Sequence, residues 1–316
     1  MADPAFVYSP AYEADIGPHV FPTWKYRRVR DLLLASGKVG PEAFTEPEPL
    51  DRRFLLHVHE RDYLDDFFAL RKTGRTVSSE LPLTREIADW FEAACAGTVT
   101  ATGIALRRGA CMHVGGGFHH AFAGHAEGFC YLNDTAVGAV AALGAGGDEP
   151  LETASGEPVT RVSVVDLDVH QGNGTARIFQ GEERVFTFSM HQENNYPLKQ
   201  RSDLDIGLPD GIEDEAYLRA LDRGLAAAVL DRKPQLVYYV AGADPYREDV
   251  LGGLGLSLAG LRERDRRVFR ACGTSGASVV VLLAGGYAAD RDETAVIHAG
   301  TAGEMLAFRP WTPPGA

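Results

Sequence analysis

Polar residues with the chemistry of a metal site follow one β-rich run of this 316-residue chain. In the sequence DLDVH, the period of two along an extended strand would place Asp166, Asp168 and His170 on the same side of the backbone. Asp244, in the sequence GAD after a later β-rich run, supplies a further carboxylate. A set of Asp168, His170 and Asp244 would leave coordination positions for water and substrate, as a catalytic metal requires. Oxygen and nitrogen donors without a thiolate suit zinc, and ferrous iron stays open.

Two adjacent histidines, His119 and His120, follow three glycines that let the backbone bring both rings close to a ligand. Imidazole titrates near neutral pH, so such a pair beside a metal site could handle protons. Asp166 and Asn173 are the natural hydrogen-bond partners of the two rings, and a carboxylate and an amide would tune them differently. The sequence therefore predicts acid-base chemistry next to the metal.

Tyr287 follows Gly285 and Gly286 at the end of the last β-rich run. A phenol in that position could donate a hydrogen bond to an oxyanion that develops beside the metal. The alternative for an isolated tyrosine is an aromatic ring that packs over the next helix. The catalytic interpretation is favoured because this strand end is one of five that carry polar residues.

Five β-rich runs alternate with amphipathic helical runs after residue 109, which predicts an α/β fold with a mainly parallel sheet flanked by helices. The β-rich runs cover residues 110–114, 161–169, 185–190, 236–241 and 278–284. Each run ends in polar residues, and ligands of open parallel sheets bind outside the carboxyl ends of the strands. The five ends should therefore converge on one site.

The first hundred residues are mainly helical in pattern. Helices are predicted at 24–35, around 61–71 and at 84–107. The stretch 144–160 is rich in Gly, Pro, Glu and Thr. It is interpreted as a surface connection rather than a domain boundary, because the alternation resumes after it in the same style. We therefore expect residues 1–316 to form a single domain.

Composition limits the class of protein. Hydrophobic residues make up 45% and charged residues 24%, which excludes disordered and fibrous classes. The net charge of -13 argues against a nucleic-acid-binding protein and favours cationic substrates. Four cysteines without C-x-x-C spacing indicate a reducing compartment. With no leader and no long apolar run, we expect a cytoplasmic protein without a membrane segment, and the sequence does not indicate its oligomeric state.

Five short motifs of this chain resemble motifs of the histone deacetylase superfamily, whose members have the arginase-deacetylase fold. They are GGGFHH, GFCYLND, DLDVHQGNG, GAD and GGY, in the family's order and spacing. GGGFHH, HQGNG and the early HVFPTWKY look most like the class IV branch and its bacterial relatives. The resemblance implies a zinc-dependent amidohydrolase that removes acetyl or longer acyl groups from the ε-amine of lysine in a peptide or protein. A small acylated amine, such as an acetylpolyamine, is the alternative substrate.

The resemblance also implies a role for each motif residue. His120 would be the general base that activates water, with Asn173 as its partner. His119, paired with Asp166, would stay largely cationic, and Tyr287 would polarise the acyl carbonyl. The ligands of one zinc ion per chain would be Asp168, His170 and Asp244.

Further positions resemble the family's substrate tunnel and its inner monovalent-cation site, which potassium usually occupies. The tunnel positions are Gly128, Phe129, Tyr196 and Gly286. The cation positions are Asp166, Asp168 and Ser189. Asn173 stands where many relatives have an aspartate, and Lys25 stands roughly where many have an arginine beneath the site. The family's acidic rim residue has only Glu80 as a candidate, by location.

Rival functions lack support in the sequence. An arginase-like binuclear manganese hydrolase needs extra carboxylates, but Gly172 lies two residues after His170 and Pro245 follows Asp244. A silent acyl-lysine binding module should lack the tyrosine or a zinc ligand, and all are present. Long acyl chains, which the class IV resemblance implies, would need space left by the glycines at 115–117 and 285–286, and Met190 could fill that space.

Overall fold

One parallel sheet forms the centre of the molecule. It is seen in a computed structural model that describes residues 5–308 apart from the side chain of Arg291. The strands of the described residues are β1 (Phe6–Val7), β2 (Phe44–Thr45), β3 (Ala110–His113), β4 (Val162–Asp166), β5 (Val185–Gln192), β6 (Leu204–Leu208), β7 (Leu236–Val240) and β8 (Ser278–Leu282). Their order across the sheet is β2-β1-β3-β8-β7-β4-β5-β6, and every neighbouring pair is parallel. The predicted fold class is confirmed.

Helices flank this sheet. Within residues 5–308 they are α1 (Lys25–Ala35), α2 (Arg53–Val58), α3 (Arg61–Phe68), α4 (Arg85–Arg108), α5 (Asp134–Ala142), α6 (Asn173–Ile178), α7 (Asp214–Leu225), α8 (Leu258–Ser275) and α9 (Arg291–Ala307). Helices α1, α3 and α4 are the three predicted in the first hundred residues. In the described part of the chain, no helix combines the length and the apolar character needed to cross a membrane.

The central strands β3, β8, β7 and β4 are buried along their whole length. Their residues are mainly Val, Leu and Tyr, as expected for strands covered on both faces. Because all of these strands are parallel, their carboxyl ends lie at one edge of the sheet. Each continues there into one of the polar motifs, so this edge carries the candidate site.

The motif after β4 differs from the expected extended strand. β4 ends at Asp166, so Asp168 and His170 lie in the following loop rather than on one strand face. In this loop, carboxylate oxygens rather than a neighbouring strand accept hydrogen bonds from the backbone N–H groups. Oδ1 of Asp166 accepts the N–H of Asp168 at 3.2 Å, and Oδ1 of Asp168 accepts the N–H of His170 at 2.9 Å. The N–H of Val169 donates to Oδ1 of Asp244 at 2.9 Å, so a residue far along the chain fixes the loop.

Candidate active site

Asp168, His170 and Asp244 lie together just beyond the carboxyl ends of β4 and β7. One ligand atom from each lies within 4.8 Å of the others, and all three residues are buried. Nδ1 of His170 is 3.2 Å from Oδ1 of Asp168 and 3.5 Å from Oδ2 of Asp244. That Oδ2 atom is buried and accepts no hydrogen bond from any described residue. A buried carboxylate oxygen without a partner is costly, so this donor set fits a divalent cation.

The charges of this cluster shift its pKa values strongly. Burial alone would lower the pKa of His170, but Asp168 and Asp244 outweigh it and raise that pKa to about 10. Burial, reinforced by Asp168, raises the pKa of Asp244 to about 7. Burial would raise the pKa of Asp168, but His119 and His170 hold it below its ordinary value. A bound cation would replace the shared protons, since metal binding needs neutral imidazole and ionised carboxylates.

The two histidines lie side by side at this cluster, with their Nε2 atoms 3.1 Å apart. Nδ1 of His119 donates to Oδ2 of Asp166 at 2.7 Å. Nδ1 of His120 is 2.9 Å from Oδ1 of Asn173. The structure therefore brings each histidine to the partner expected from the sequence.

The environments of the two rings push their pKa values apart. Burial would lower the pKa of His119, but Asp166 and Asp168 outweigh it and raise that pKa to about 9. Burial, with the positive charges of His119 and His170, holds the pKa of His120 well below its ordinary value. The arrangement therefore combines a cationic imidazole with a neutral one, which is the division that acid-base chemistry uses.

Tyr287 lies on the loop after β8 and is buried. Its ring centroid is 6.2 Å from that of Phe21 and 6.2 Å from that of Phe129. Its backbone N–H donates to Oδ2 of Asp249 at 2.6 Å, which fixes the loop. Burial, together with Asp244, raises the pKa of the phenol well above its ordinary value, so the hydroxyl stays protonated and can donate.

Lys25 lies fully buried beneath the same loop. Its Nζ donates to the backbone oxygen of Ala284 at 2.5 Å and lies 5.0 Å from the ring centroid of Phe21. Burial lowers its pKa to about 8, although Asp244 and Asp168 oppose that shift. A cationic side chain therefore stands beneath the site here, and it supports the backbone just before the GGY motif.

Gly285, rather than Gly286, is the glycine in contact with the carboxylates. Its N–H donates to Oδ2 of Asp168 at 2.8 Å, and a Cβ on Gly285 would lie 2.0 Å from Oδ2 of Asp244. Gly286 faces the other way, because its Cβ would meet Cγ2 of Thr294 at 2.7 Å. The close approach of the loop to the cluster therefore depends on a residue without a side chain at position 285.

Of the positions expected to line a tunnel, Gly128 and Tyr196 lie next to His120, and Phe129 follows Gly128 in the chain. Gly128 and Phe129 both have positive φ, 50° and 63°. A Cβ on Gly128 would lie 2.6 Å from Oη of Tyr196 and 2.7 Å from Cδ2 of His120. The Tyr196 ring is 5.2 Å from the His120 ring, centroid to centroid, and the residue is 42% exposed. Tyr196 therefore extends from the His120 ring to the surface.

Glu80 is the candidate rim residue. The backbone oxygen of its neighbour Ser79 accepts the N–H of Phe129 at 2.9 Å, and Glu80 itself is exposed. The ring of Phe129 packs against that of His19 at 4.8 Å between centroids. The candidate rim residue is thus adjacent in the chain to a contact with the tunnel wall.

The three candidate cation residues lie on β5, at the end of β4 and in the loop after β4. Ser189 on β5 pairs in register with Asp166 on β4, and Asp168 follows two residues later. Oγ of Ser189 is 2.9 Å from Nδ1 of His191. These residues are buried, so their oxygen atoms could face a desolvated ion.

The cavity at the metal cluster has a volume of about 20 Å³, which is room for about one water molecule. Gly117 and Gly286 are packed closely against neighbouring residues. A Cβ on Gly117 would lie 2.7 Å from Cβ of Ala284, and Gly286 contacts Thr294 in the same way. Met190 is fully buried.

Three carboxylates of the site are not identified by the sequence analysis. Asp134 accepts the N–H groups of Gly117 and Phe118, at 3.1 and 2.7 Å, just before the histidine pair. Asp249 holds Tyr287, as described above, and Glu127 binds Asn173. Asp134 belongs to the GFCYLND motif and Glu127 directly precedes it, but the sequence contains no signal for their partners.

The fold is a parallel sheet flanked by helices. At the carboxyl edge of the sheet lie a buried Asp-His-Asp cluster, two adjacent histidines and a tyrosine. These features define an α/β protein with a candidate metal-dependent active site. The family model described as the histone deacetylase domain matches residues 19–301. The chain therefore belongs to the histone deacetylase family, which confirms the resemblance seen in its motifs.

Similar proteins agree with this assignment. An uncharacterised protein of Picosynechococcus sp. is 40% identical over 287 residues, covering 89% of this chain and 91% of that protein. Histone deacetylase 2 of Arabidopsis thaliana is 30% identical over 299 residues, covering 90% of this chain and 74% of that protein. The crystal structure of the HDA15 HD domain gives a TM-score of 0.75 and covers 96% of this chain and 91% of that one. At 23% identity, this last likeness shows the fold alone.

Proposed function

We propose that this chain is a zinc-dependent deacylase that removes an acetyl or longer acyl group from the ε-amine of lysine in a peptide or protein. One observation carries the proposal. Oδ2 of Asp244 is buried without a hydrogen-bond partner among the described residues, within a compact cluster of metal-type ligands beside two histidines. Membership of the histone deacetylase family supports a deacetylase-type hydrolase.

The residues that would hold zinc are Asp168, His170 and Asp244. Their nitrogen and oxygen donors suit zinc and leave ferrous iron as the alternative. When bound, the ion would supply Lewis acidity that polarises an acyl carbonyl and makes water nucleophilic near neutral pH. An inner potassium ion at Asp166, Asp168 and Ser189 is also part of the proposal, and stimulation of turnover by KCl compared with NaCl would test it.

The protein's own residues then divide the proton chemistry. His120 is the general base, because its lowered pKa keeps the ring neutral and able to take a proton from the attacking water. It later passes that proton to the leaving amine. His119, cationic beside Asp166, stabilises the negative charge that develops. Tyr287 donates a hydrogen bond to the acyl oxygen as that oxygen becomes an anion.

The substrate would enter along the wall formed by Gly128, Phe129 and Tyr196, all within one catalytic domain. A lysine stem is long and apolar enough to lie against these residues, while Glu80 at the rim would meet the peptide backbone. An acetylated small amine is the second candidate, because the net charge of -13 favours cationic substrates.

A substrate panel tests the proposal. Zinc-loaded protein is assayed for kcat/KM on acetyl-, octanoyl- and myristoyl-lysine versions of one peptide and on N-acetylated polyamines. We expect the acetyl-lysine peptide to be the best substrate. A preference for the acetylpolyamines would select the second candidate, and a preference for the longer chains would identify a long-chain deacylase. No hydrolysis of any of them would reject the deacylase proposal.

A further inference from the structure

The amide of Asn173 is held at both ends. Its Oδ1 accepts the backbone N–H of Gly174 at 3.0 Å and lies 2.9 Å from Nδ1 of His120. Its Nδ2 donates to Oε1 of Glu127 at 2.7 Å. An ionised carboxylate only accepts hydrogen bonds and a backbone N–H only donates, so both contacts require the same amide orientation. In that orientation Oδ1 faces His120.

The orientation of this amide contributes, together with Nε2 of His119 at 3.1 Å from Nε2 of His120, to deciding which nitrogen of His120 carries the proton. With Oδ1 facing it, Nδ1 must donate, so the neutral ring keeps its proton on Nδ1 and has a lone pair on Nε2. If the Asn173 amide were turned by 180°, Nδ2 would donate to Nδ1 of His120. The proton of the neutral ring would then lie on Nε2, and that atom could not act as a base.

Glu127 also holds the wall of the tunnel. Oη of Tyr196 donates to the same Oε1 atom at 3.2 Å, while Oε2 lies 3.4 Å from Nε2 of His125. The Glu127 side chain is only 24% exposed, and the close fit at Gly128 leaves no space between Tyr196 and His120. One carboxylate oxygen therefore joins the tunnel wall to the partner of the base.

We propose that Glu127 is a positioning residue of the active site, which fixes the Nδ1–H tautomer of His120 through the amide of Asn173 and holds Tyr196 beside it. The proposal rests on the proposed function in assigning His120 as the base. The negative charge of Glu127 strengthens its hydrogen bond to the amide, because charge-assisted hydrogen bonds are about twice as strong as neutral ones. Glu127 thus acts on the base without touching substrate.

The ¹⁵N NMR signals of the His120 ring, recorded on zinc-loaded protein without substrate, report the tautomer directly. Wild type should show the Nδ1–H form. Glu127→Gln should keep it, because the glutamine amide oxygen can accept from Nδ2 of Asn173. Glu127→Ala should lose it in part and lower kcat/KM by about 10- to 100-fold with zinc content unchanged. His125→Ala is the matched control, since it removes the contact to Oε2 and a ring contact with Phe122 but leaves Oε1 of Glu127 in place, and it should leave the tautomer unchanged.

A double variant provides the rescue. Asn173→Asp places an acceptor-only group next to Nδ1 of His120, which makes orientation by Glu127 unnecessary. Glu127→Ala combined with Asn173→Asp should therefore regain the Nδ1–H tautomer and at least part of the lost kcat/KM. The double variant also keeps the test readable if Glu127→Ala alone folds poorly.

An unchanged Nδ1–H tautomer in folded Glu127→Ala would overturn the proposal, because the N–H of Gly174 and the neighbouring His119 ring would then suffice to fix it. So would a Glu127→Gln variant as impaired as Glu127→Ala. A tautomer change in Glu127→Ala, combined with no hydrolysis of acyl-lysine by wild type, would support the positioning role and reject the proposed function. The two proposals therefore fail separately.

Discussion

Gly285→Ala should displace Asp244, a proposed metal ligand, without disturbing the fold. The added Cβ would lie 2.0 Å from Oδ2 of Asp244 and 2.7 Å from Oδ2 of Asp168, whereas ordinary contact begins at 3.4 Å. Asp244 must therefore move by about 1.4 Å, the difference between 2.0 and 3.4 Å. Metal–ligand distances tolerate only about 0.2 Å. Zinc affinity should fall by more than the roughly 10- to 100-fold that follows loss of a residue supporting a ligand.

The assay is zinc titration of the metal-free variant by calorimetry, with circular dichroism to confirm the fold. Gly303→Ala in α9 is the matched control, because no described atom lies within 4 Å of the Cβ it would add. That control should bind zinc as wild type does and gain about 0.5–1 kcal/mol of stability from the better helix former. A Gly285→Ala protein with wild-type zinc affinity would refute the reasoning.

Three further predictions concern single side chains. Tyr287→Phe should lower kcat by roughly 10²- to 10³-fold with zinc content unchanged, and an undiminished kcat would remove this phenol from the mechanism. His120→Ala should cost about 10²- to 10⁴-fold in kcat, whereas a harmless His120→Ala beside a harmful His119→Ala would reverse the two roles. Burial lowers the pKa of His59 from 6.5 to about 4, so below pH 6.5 the unfolded chain takes up a proton that the folded chain does not. As the pH falls from 6.5 to about 4, the free energy of unfolding should therefore fall by up to about 1.4 kcal/mol per pH unit. The slope difference between wild type and His59→Gln in urea titrations measures it, and equal slopes would contradict it.

The catalytic edge could be predicted because its signals are local in the sequence. Five runs of buried strand residues each end in a polar motif, and parallel strands bring such ends together. They correspond to β3, β4, β5, β7 and β8. The partners of the two histidines also followed from residue type, since Asp166 and Asn173 lie near the metal ligands in the chain.

Other parts of the fold lack such a signal. β1 and β2 have two residues each, and the residues of β6 alternate between partly buried and exposed over most of its length. Strands this short form because a neighbouring strand supplies backbone hydrogen-bond partners, and their own hydrophobic pattern does not predict them. The loop after β4 could not be predicted either, because its backbone binds Asp244 from a distant segment.

The positioning carboxylates were missed for the same reason. Glu127 and Asn173 are 46 residues apart, and Asp249 and Tyr287 are 38 residues apart. When a single acidic residue lies this far in the chain from its hydrogen-bond partner, no periodicity or spacing in the sequence identifies that partner. Only the folded chain brings these side chains to the site.

The most direct test of the central claim is a zinc titration of chelated protein, with acetate release from an acetyl-lysine peptide as the readout. The cluster of Asp168, His170 and Asp244 predicts no turnover in the chelated protein. Turnover should then rise linearly with added zinc and reach its plateau at one ion per chain. Full turnover after chelation, or a plateau that needs two ions per chain, would contradict the account.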